Sequence, residues 1–194
     1  MNRFVQYLAV LIFTMSSVFA TPAVGAALVD DLQDGRHVLL MRHADAPGIG
    51  DPPGYVVSNC ATQRNLGDYG KKQAKAIGIW LTKQGIQTAR VLSSPWCRCL
   101  DTANALNKGE VITAPALGSF FDDMSLEKSQ TQKLAALIKQ ELAQKSKGAV
   151  ILVTHHVNIQ AYTDKIVNVG DMVLVKVDEN GGHLSHTVYP SPKP

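Results

Sequence analysis

The sequence predicts an α/β domain in which a mostly parallel sheet is covered by helices on both faces, a three-layer α/β/α sandwich. Three observations carry this. Strand candidates at Val38–Met41, Arg90–Ser93 and Ala149–Val153 alternate with stretches of helical periodicity. The third run is apolar without interruption, as a strand buried on both faces requires. Each run ends in polar, chemistry-bearing residues. With 194 residues, 45% hydrophobic and 18% charged, the chain is long enough for one core.

The first residues read as a leader. Arg3 gives a positive start, Phe4 to Phe19 is largely apolar and free of charge, and Val18-Phe19-Ala20 is a small-residue cleavage site. Val24-Gly25-Ala26 is a second candidate, which would move cleavage to 26. The expectation is a signal peptide over 1–20, a domain over 27–190, and a periplasmic or secreted protein. The apolar stretch is shorter than the ~20 residues of a usual span, so no stable membrane anchor is expected after cleavage.

Asp30 to Arg36 reads as a polar lead into the first strand. Ala46 to Pro53 holds Pro47, Gly48, Gly50, Pro52 and Pro53, so it is a loop. Ala74, Ile77, Gly78 and Leu81 recur at helical spacing, with Gly85 as the stop. Ser94 is expected to cap a helix whose first residue is Pro95 and which runs to about Leu106. Val111-Ile112 is a short strand candidate. Ser119 to Ser125 is a loop carrying Asp122 and Asp123. Leu126 to Leu142 is a helix, and another starts after His156. Met172–Val177 and Leu184–Tyr189 flank Glu179-Asn180-Gly181-Gly182, which predicts a closing hairpin.

In parallel sheets ligands bind beyond the carboxyl ends of the strands. Arg42-His43, Ser93-Ser94-Pro95-Trp96-Cys97-Arg98 and Thr154-His155-His156 all stand at such ends. Two planar guanidiniums, Arg42 and Arg98, match the oxygens of a phosphate. A neutral His43 beside them is a nucleophile for phosphorus, its pKa depressed by like charge. His155 can donate to the phosphoryl oxygens. This set holds a dianion without a metal or other cofactor. The formal net charge is only +3 and aromatics are 6% of the chain, so nucleic acid is excluded as a partner.

These residues resemble the histidine phosphatase superfamily, also called phosphoglycerate-mutase-like. Its Arg-His-Gly is matched by Arg42-His43-Ala44, with Ala for Gly. Its Leu-x-x-x-Gly-x-x-Gln-Ala is matched by Leu66, Gly70, Gln73 and Ala74. Its Ser-Ser-Pro-x-x-Arg-x-x-x-Thr-Ala is matched by Ser93, Ser94, Pro95, Arg98, Thr102 and Ala103, and its second histidine by His155. The likeness runs from about residue 36 to 177. It implies the three-layer fold, a phosphohistidine on His43, a pocket completed by Arg42, Arg98 and His155, and no metal. Cys60, Arg64-Asn65-Leu66 and the stretch around His155 look like small exported bacterial members, such as lipopolysaccharide core heptose-phosphate phosphatases. That likeness implies a phosphorylated small molecule or envelope glycan as partner, and the likeness to short relatives that act on phosphohistidine proteins makes Arg64 a third cation for substrate.

The resemblance leaves the proton donor open. One branch has a Glu about 25 residues beyond the second arginine, where this chain has Asp122 and Asp123. The other has an Asp directly after the second histidine, where this chain has His156. Asp45 is a third option. A catalytically silent phosphate-binding module is the alternative to an enzyme.

The chain has three cysteines, Cys60, Cys97 and Cys99. An exported chain meets an oxidising compartment, and residues 97 and 99 point to nearly opposite faces of a helix. One bridge is expected, from Cys60 to Cys97 or Cys99, tying the Arg64 loop to the Arg98 helix.

Overall fold

The structure, a computed structural model, describes residues 24–144 and 148–194. The signal segment expected over 1–20 lies outside the described residues. Among the described residues six strands form one sheet: β1 (His37–Arg42), β2 (Ala89–Ser93), β3 (Val111–Thr113), β4 (Ala149–Thr154), β5 (Met172–Val177) and β6 (His183–Tyr189). Their order is β3-β2-β4-β1-β5-β6. The first four run parallel, and β5 and β6 close the sheet antiparallel.

Five α-helices pack on it among the described residues: α1 (Val24–Gln33), α2 (Asp68–Lys83), α3 (Cys97–Leu106), α4 (Glu127–Leu142) and α5 (His156–Thr163). Side chains alternate across a strand, and the two cores follow that alternation. Leu39 and Met41 of β1 join Ile151 and Val153 of β4 against Ile77 and Leu81 of α2 and Ala103 and Leu106 of α3. Val38 and Leu40 join Val150 and Leu152 against Leu134 and Ile138 of α4 and Ile159 of α5. The result is three layers, with every residue of β4 buried. Among the described residues no helix is long and apolar enough to cross a membrane.

Two local expectations are corrected. The polar lead before β1 is the end of a helix, because Leu28 and Leu32, one turn apart, are buried in the first core while the aspartates face out. Helix α3 starts at Cys97, not Pro95, and Trp96 precedes it without a side-chain cap. The Ser94 hydroxyl, expected to cap it, accepts from the Trp96 amide at 3.4 Å ahead of the helix and lies 2.8 Å from Nε2 of His155.

Register sets the level of the site. Arg42 is paired with Thr154, and Ser93 with Val153. His43, Ser94 and His155 therefore leave the sheet side by side. The His43 amide donates to the Thr154 carbonyl at 3.0 Å, and the Ser94 amide to the Val153 carbonyl at 2.9 Å.

Candidate active site

A cavity of about 280 Å³ opens at this edge of the sheet. It gathers Arg42, His43, Arg64, Arg98, Asp122, His155 and His156 of the residues anticipated from sequence. Asp123 is not among its lining residues, and the structure separates the two acids. Asp123 accepts from the Ser125 amide at 3.1 Å and caps a short 3₁₀ turn. Asp122 lines the cavity and accepts from the Tyr55 hydroxyl at 2.8 Å. Asp45 does not line it either.

His43 is 1% exposed. Its Nδ1 lies 2.8 Å from the Ala44 carbonyl, which can only accept. Nδ1 therefore carries the proton, and Nε2 of the neutral ring keeps a free lone pair. The pKa is pushed down to about 3, chiefly by burial; Arg98, Arg42 and Arg64 add to the depression. Like charge, the cause expected from sequence, is thus the smaller part, and desolvation leads.

The residues after the nucleophile are fixed by the spaced motif side chains. Thr102 accepts from the Ala44 amide at 3.0 Å and donates to the Arg98 carbonyl at 2.7 Å. Gln73 accepts from the Asp45 amide at 2.9 Å and donates to the Val169 carbonyl at 3.0 Å. A Cβ at residue 70 would sit 1.9 Å from the Asp45 carbonyl oxygen, so only glycine lets α2 approach here.

Arg42 donates from Nη1 to the Val167 carbonyl at 2.8 Å. Arg98 donates from Nη1 to both oxygens of Asp51, at 2.8 and 3.1 Å. The Nε atoms of Arg42 and Arg98 are buried and have no protein partner among the described residues. Buried donors of that kind are expected to meet an acceptor. Arg64 donates from Nε to the Gly50 carbonyl at 2.7 Å and from Nη1 to the Ala46 carbonyl.

Asp51 carries no signal in the sequence. It lies in a Gly/Pro loop with no periodicity, and its partners are remote. Besides Arg98 it accepts from the Arg64 amide at 2.9 Å and from Trp96 Nε1 at 3.1 Å. Burial alone would raise its pKa, yet these donors together hold it below the usual carboxylate value. It stays ionised and fixes the Arg98 fork.

His155 is 2% exposed. Its Nε2 faces Ser94 Oγ at 2.8 Å and Cys99 Sγ at 3.5 Å, and the Trp96 ring packs edge-on at 5.3 Å. Burial, then the His43 ring and Arg98, hold it well below the ordinary imidazole pKa. The His43 and His155 rings are 5.5 Å apart, edge to face. His156 opens α5 half-buried, its pKa lowered by burial and then by Arg42, Arg64 and Arg98.

Cys60 and Cys97 form the disulfide, and Cys99 is free and buried, its thiol pushed up to about 12 by desolvation. Gln63 reinforces the link by accepting from the Cys97 amide at 3.0 Å and donating to the Val57 carbonyl at 2.7 Å. The loop with Asp51 and Arg64 is thus fastened to the first turn of α3, beside Arg98.

Comparison with known proteins bears on the fold. No curated protein matched the chain. It is similar in fold to the protein histidine phosphatase SixA solved with tungstate, at 19% identity over 81% of this chain and 96% of that one, TM-score 0.54. A mycobacterial glucosyl-3-phosphoglycerate phosphatase solved with VO3 shares 16% identity over 73% and 92%, TM-score 0.56. The phosphoserine phosphatase of Entamoeba histolytica, solved with 3-phosphoglyceric acid, shares 16% over 80% and 97%, TM-score 0.57. Residues 38–128 match the model of the histidine phosphatase superfamily, branch 1. Over those residues the chain is similar to the histidine phosphatase superfamily, and it shares its fold with these solved phosphatases.

Proposed function

We propose that this protein is an exported, metal-independent phosphatase that hydrolyses phosphate monoesters through a phosphohistidine on His43. The observation that carries the reading is the state of His43: a buried neutral ring, Nδ1–H bound to its own chain, Nε2 free, in a cavity with three guanidiniums.

A phosphate dianion enters between Arg42, Arg64 and Arg98. His43 Nε2 attacks phosphorus; the N–P bond forms as the ester P–O bond breaks. The Asp122 carboxyl gives its proton to the departing alkoxide. Asp122, now a carboxylate, takes a proton from water, whose oxygen attacks phosphorus as the N–P bond breaks. Inorganic phosphate leaves and His43 returns neutral. His155 donates a hydrogen bond to the phosphoryl oxygens as charge shifts onto them. His156 is the alternative donor, half-buried in the same cavity. No step draws on a metal, and the three guanidiniums would repel a cation.

The substrates this reading favours are phosphorylated small molecules and glycans of the cell envelope, heptose phosphates among them. Export is supported by the leader-like N-terminus and by the Cys60–Cys97 bridge, which suits an oxidising compartment. Cleavage after Ala26 would remove Val24 to Ala26 from α1, whereas cleavage after Ala20 falls outside the described residues. N-terminal sequencing of the exported chain decides between them.

The test is an aryl phosphate assay over pH 4–8 with EDTA present, wild type beside His43→Ala. Turnover by the wild type alone supports the enzyme. No turnover, with phosphate still bound, makes the protein a phosphate-binding module.

A further inference from the structure

The cavity changes character from floor to mouth. Its floor is buried and polar, with His43, Arg98 and His155 all at most 3% exposed. Its mouth is lined by Ile49 and Phe121, which are 90% and 39% exposed.

Ile49 is held in that exposed place. Gly48 and Gly50 on either side have φ of 99° and 67°, a region open to glycine and strained for other residues. Arg64 grips both flanks through the carbonyls of Ala46 and Gly50. Phe121 comes from the opposite loop, its ring 5.6 Å from that of His156. The two loops approach each other: a Cβ at residue 50 would lie 3.8 Å from Phe121 Cε1. The same loops expose Val56, Met124 and Leu126 at 51%, 54% and 48%. Apolar side chains fixed at the rim of a polar cavity mark a ligand site. The complementary ligand is a dianion at one end and hydrocarbon at the other.

We infer that the substrate is an amphiphilic phosphate monoester, whose apolar chain lies against Ile49 and Phe121 while its phosphate sits among the arginines. This rests on the phosphatase reading and sets apolar esters in place of the heptose phosphates named there. Hydrolysis breaks the ester P–O bond and, with one water, yields the alcohol and inorganic phosphate. The shared chemistry is an alkyl phosphate, either free or seated in a bilayer.

The test is kcat/KM across methyl, butyl and hexyl phosphate, all monomeric, with glucose 6-phosphate as the polar comparator. Full burial of a methylene is worth about fourfold, so partial burial of the five extra methylenes gives a hexyl-to-methyl ratio of at least ~10. Ile49→Ser with Phe121→Ser brings the ratio below ~3, and Ile49→Leu keeps it. Dodecyl phosphate in phosphatidylcholine vesicles separates the sources: turnover there assigns a bilayer substrate, and turnover of the monomeric esters alone a free amphiphile. A flat series, or glucose 6-phosphate outrunning hexyl phosphate, overturns the inference. Affinities of the methyl and hexyl esters for His43→Ala give the same ratio without turnover. No hydrolysis with that ratio intact would sink the phosphatase reading and leave this one standing; a ratio near 1 sinks this one.

Discussion

The Asp51 carboxylate takes both of its oxygens to Nη1 of Arg98, at 2.8 and 3.1 Å, with the two side chains 3% and 4% exposed. This pair aims the most buried cation of the site. Removing the acid leaves a guanidinium without its partner in a place that water barely reaches. Breaking such a pair costs about 3–5 kcal/mol. Asp51→Ala is expected to lose stability on that scale in urea melts, and to raise KM for an aryl phosphate because the Arg98 fork is no longer held. Unchanged KM would mean that Arg98 is placed by other contacts.

Asp122 and Asp123 separate in a leaving-group series. A general acid contributes most when the departing alkoxide is a poor leaving group, typically 10²–10⁴-fold. Asp122→Asn is therefore expected to lower kcat/KM, which reports the first transfer, at least ~100-fold on an alkyl phosphate but under ~10-fold on p-nitrophenyl phosphate. Asp123→Asn affects only its 3₁₀ turn and leaves both rates within about twofold. If His156→Ala shows the leaving-group dependence and Asp122→Asn does not, the proton comes from the imidazole.

Much of this was legible in the sequence and some was not, for physical reasons. Strands β1 and β4 announce themselves because burial on both faces leaves little but apolar residues in their interiors, and β2 by Val91 and Leu92 ahead of the Ser93-Ser94-Pro95 turn. His43, Arg98 and His155 stand out because each directly follows such a strand or its turn, where a parallel sheet collects them. Helix α1 was hidden because Leu28 and Leu32 are its buried core residues, with Val29 packed beside them, while Asp30, Asp31 and Asp34 dominate the segment. Asp51 was hidden because its partner is 47 residues away and no local pattern marks an ion pair across loops. Ser94 looks like a helix cap because serine before proline usually is one; its bond to His155 depends on the register of β2 against β4.

Folded-state pKa values also predict a stability profile. His43 protonates near pH 3 in the folded chain, against 6.5 for an ordinary imidazole. Between those values the unfolded chain binds a proton that the folded chain refuses, so stability falls as pH drops below 6.5. At pH 4.5 the loss from this one ring is roughly 2–3 kcal/mol. His155, lowered in the same direction, adds to it. The melting temperature of the wild type is expected to drop from pH 7 to 4.5, and that of His43→Asn to drop less. Equal slopes would place the acid sensitivity elsewhere.

The Cys60–Cys97 bridge closes a span of 37 residues. Chain entropy alone gives it about 3–4 kcal/mol. Cys60→Ser is expected to lose that much under oxidising conditions and to weaken phosphate binding, since Arg64 and Asp51 lie in the fastened loop. Dithiothreitol should bring the wild type to the level of the variant and leave the variant unmoved. Unchanged stability and activity in Cys60→Ser would show that Gln63 and the Asp51–Arg98 pair hold the loop without it.

The central claim is that His43 carries the phosphoryl group. Rapid quenching of the enzyme with a ³²P-labelled monoester measures it most directly. The account predicts protein-bound label that is lost in acid, survives alkali, maps to His43 and is absent from His43→Ala. Turnover with no such label, or label retained in His43→Ala, would contradict it.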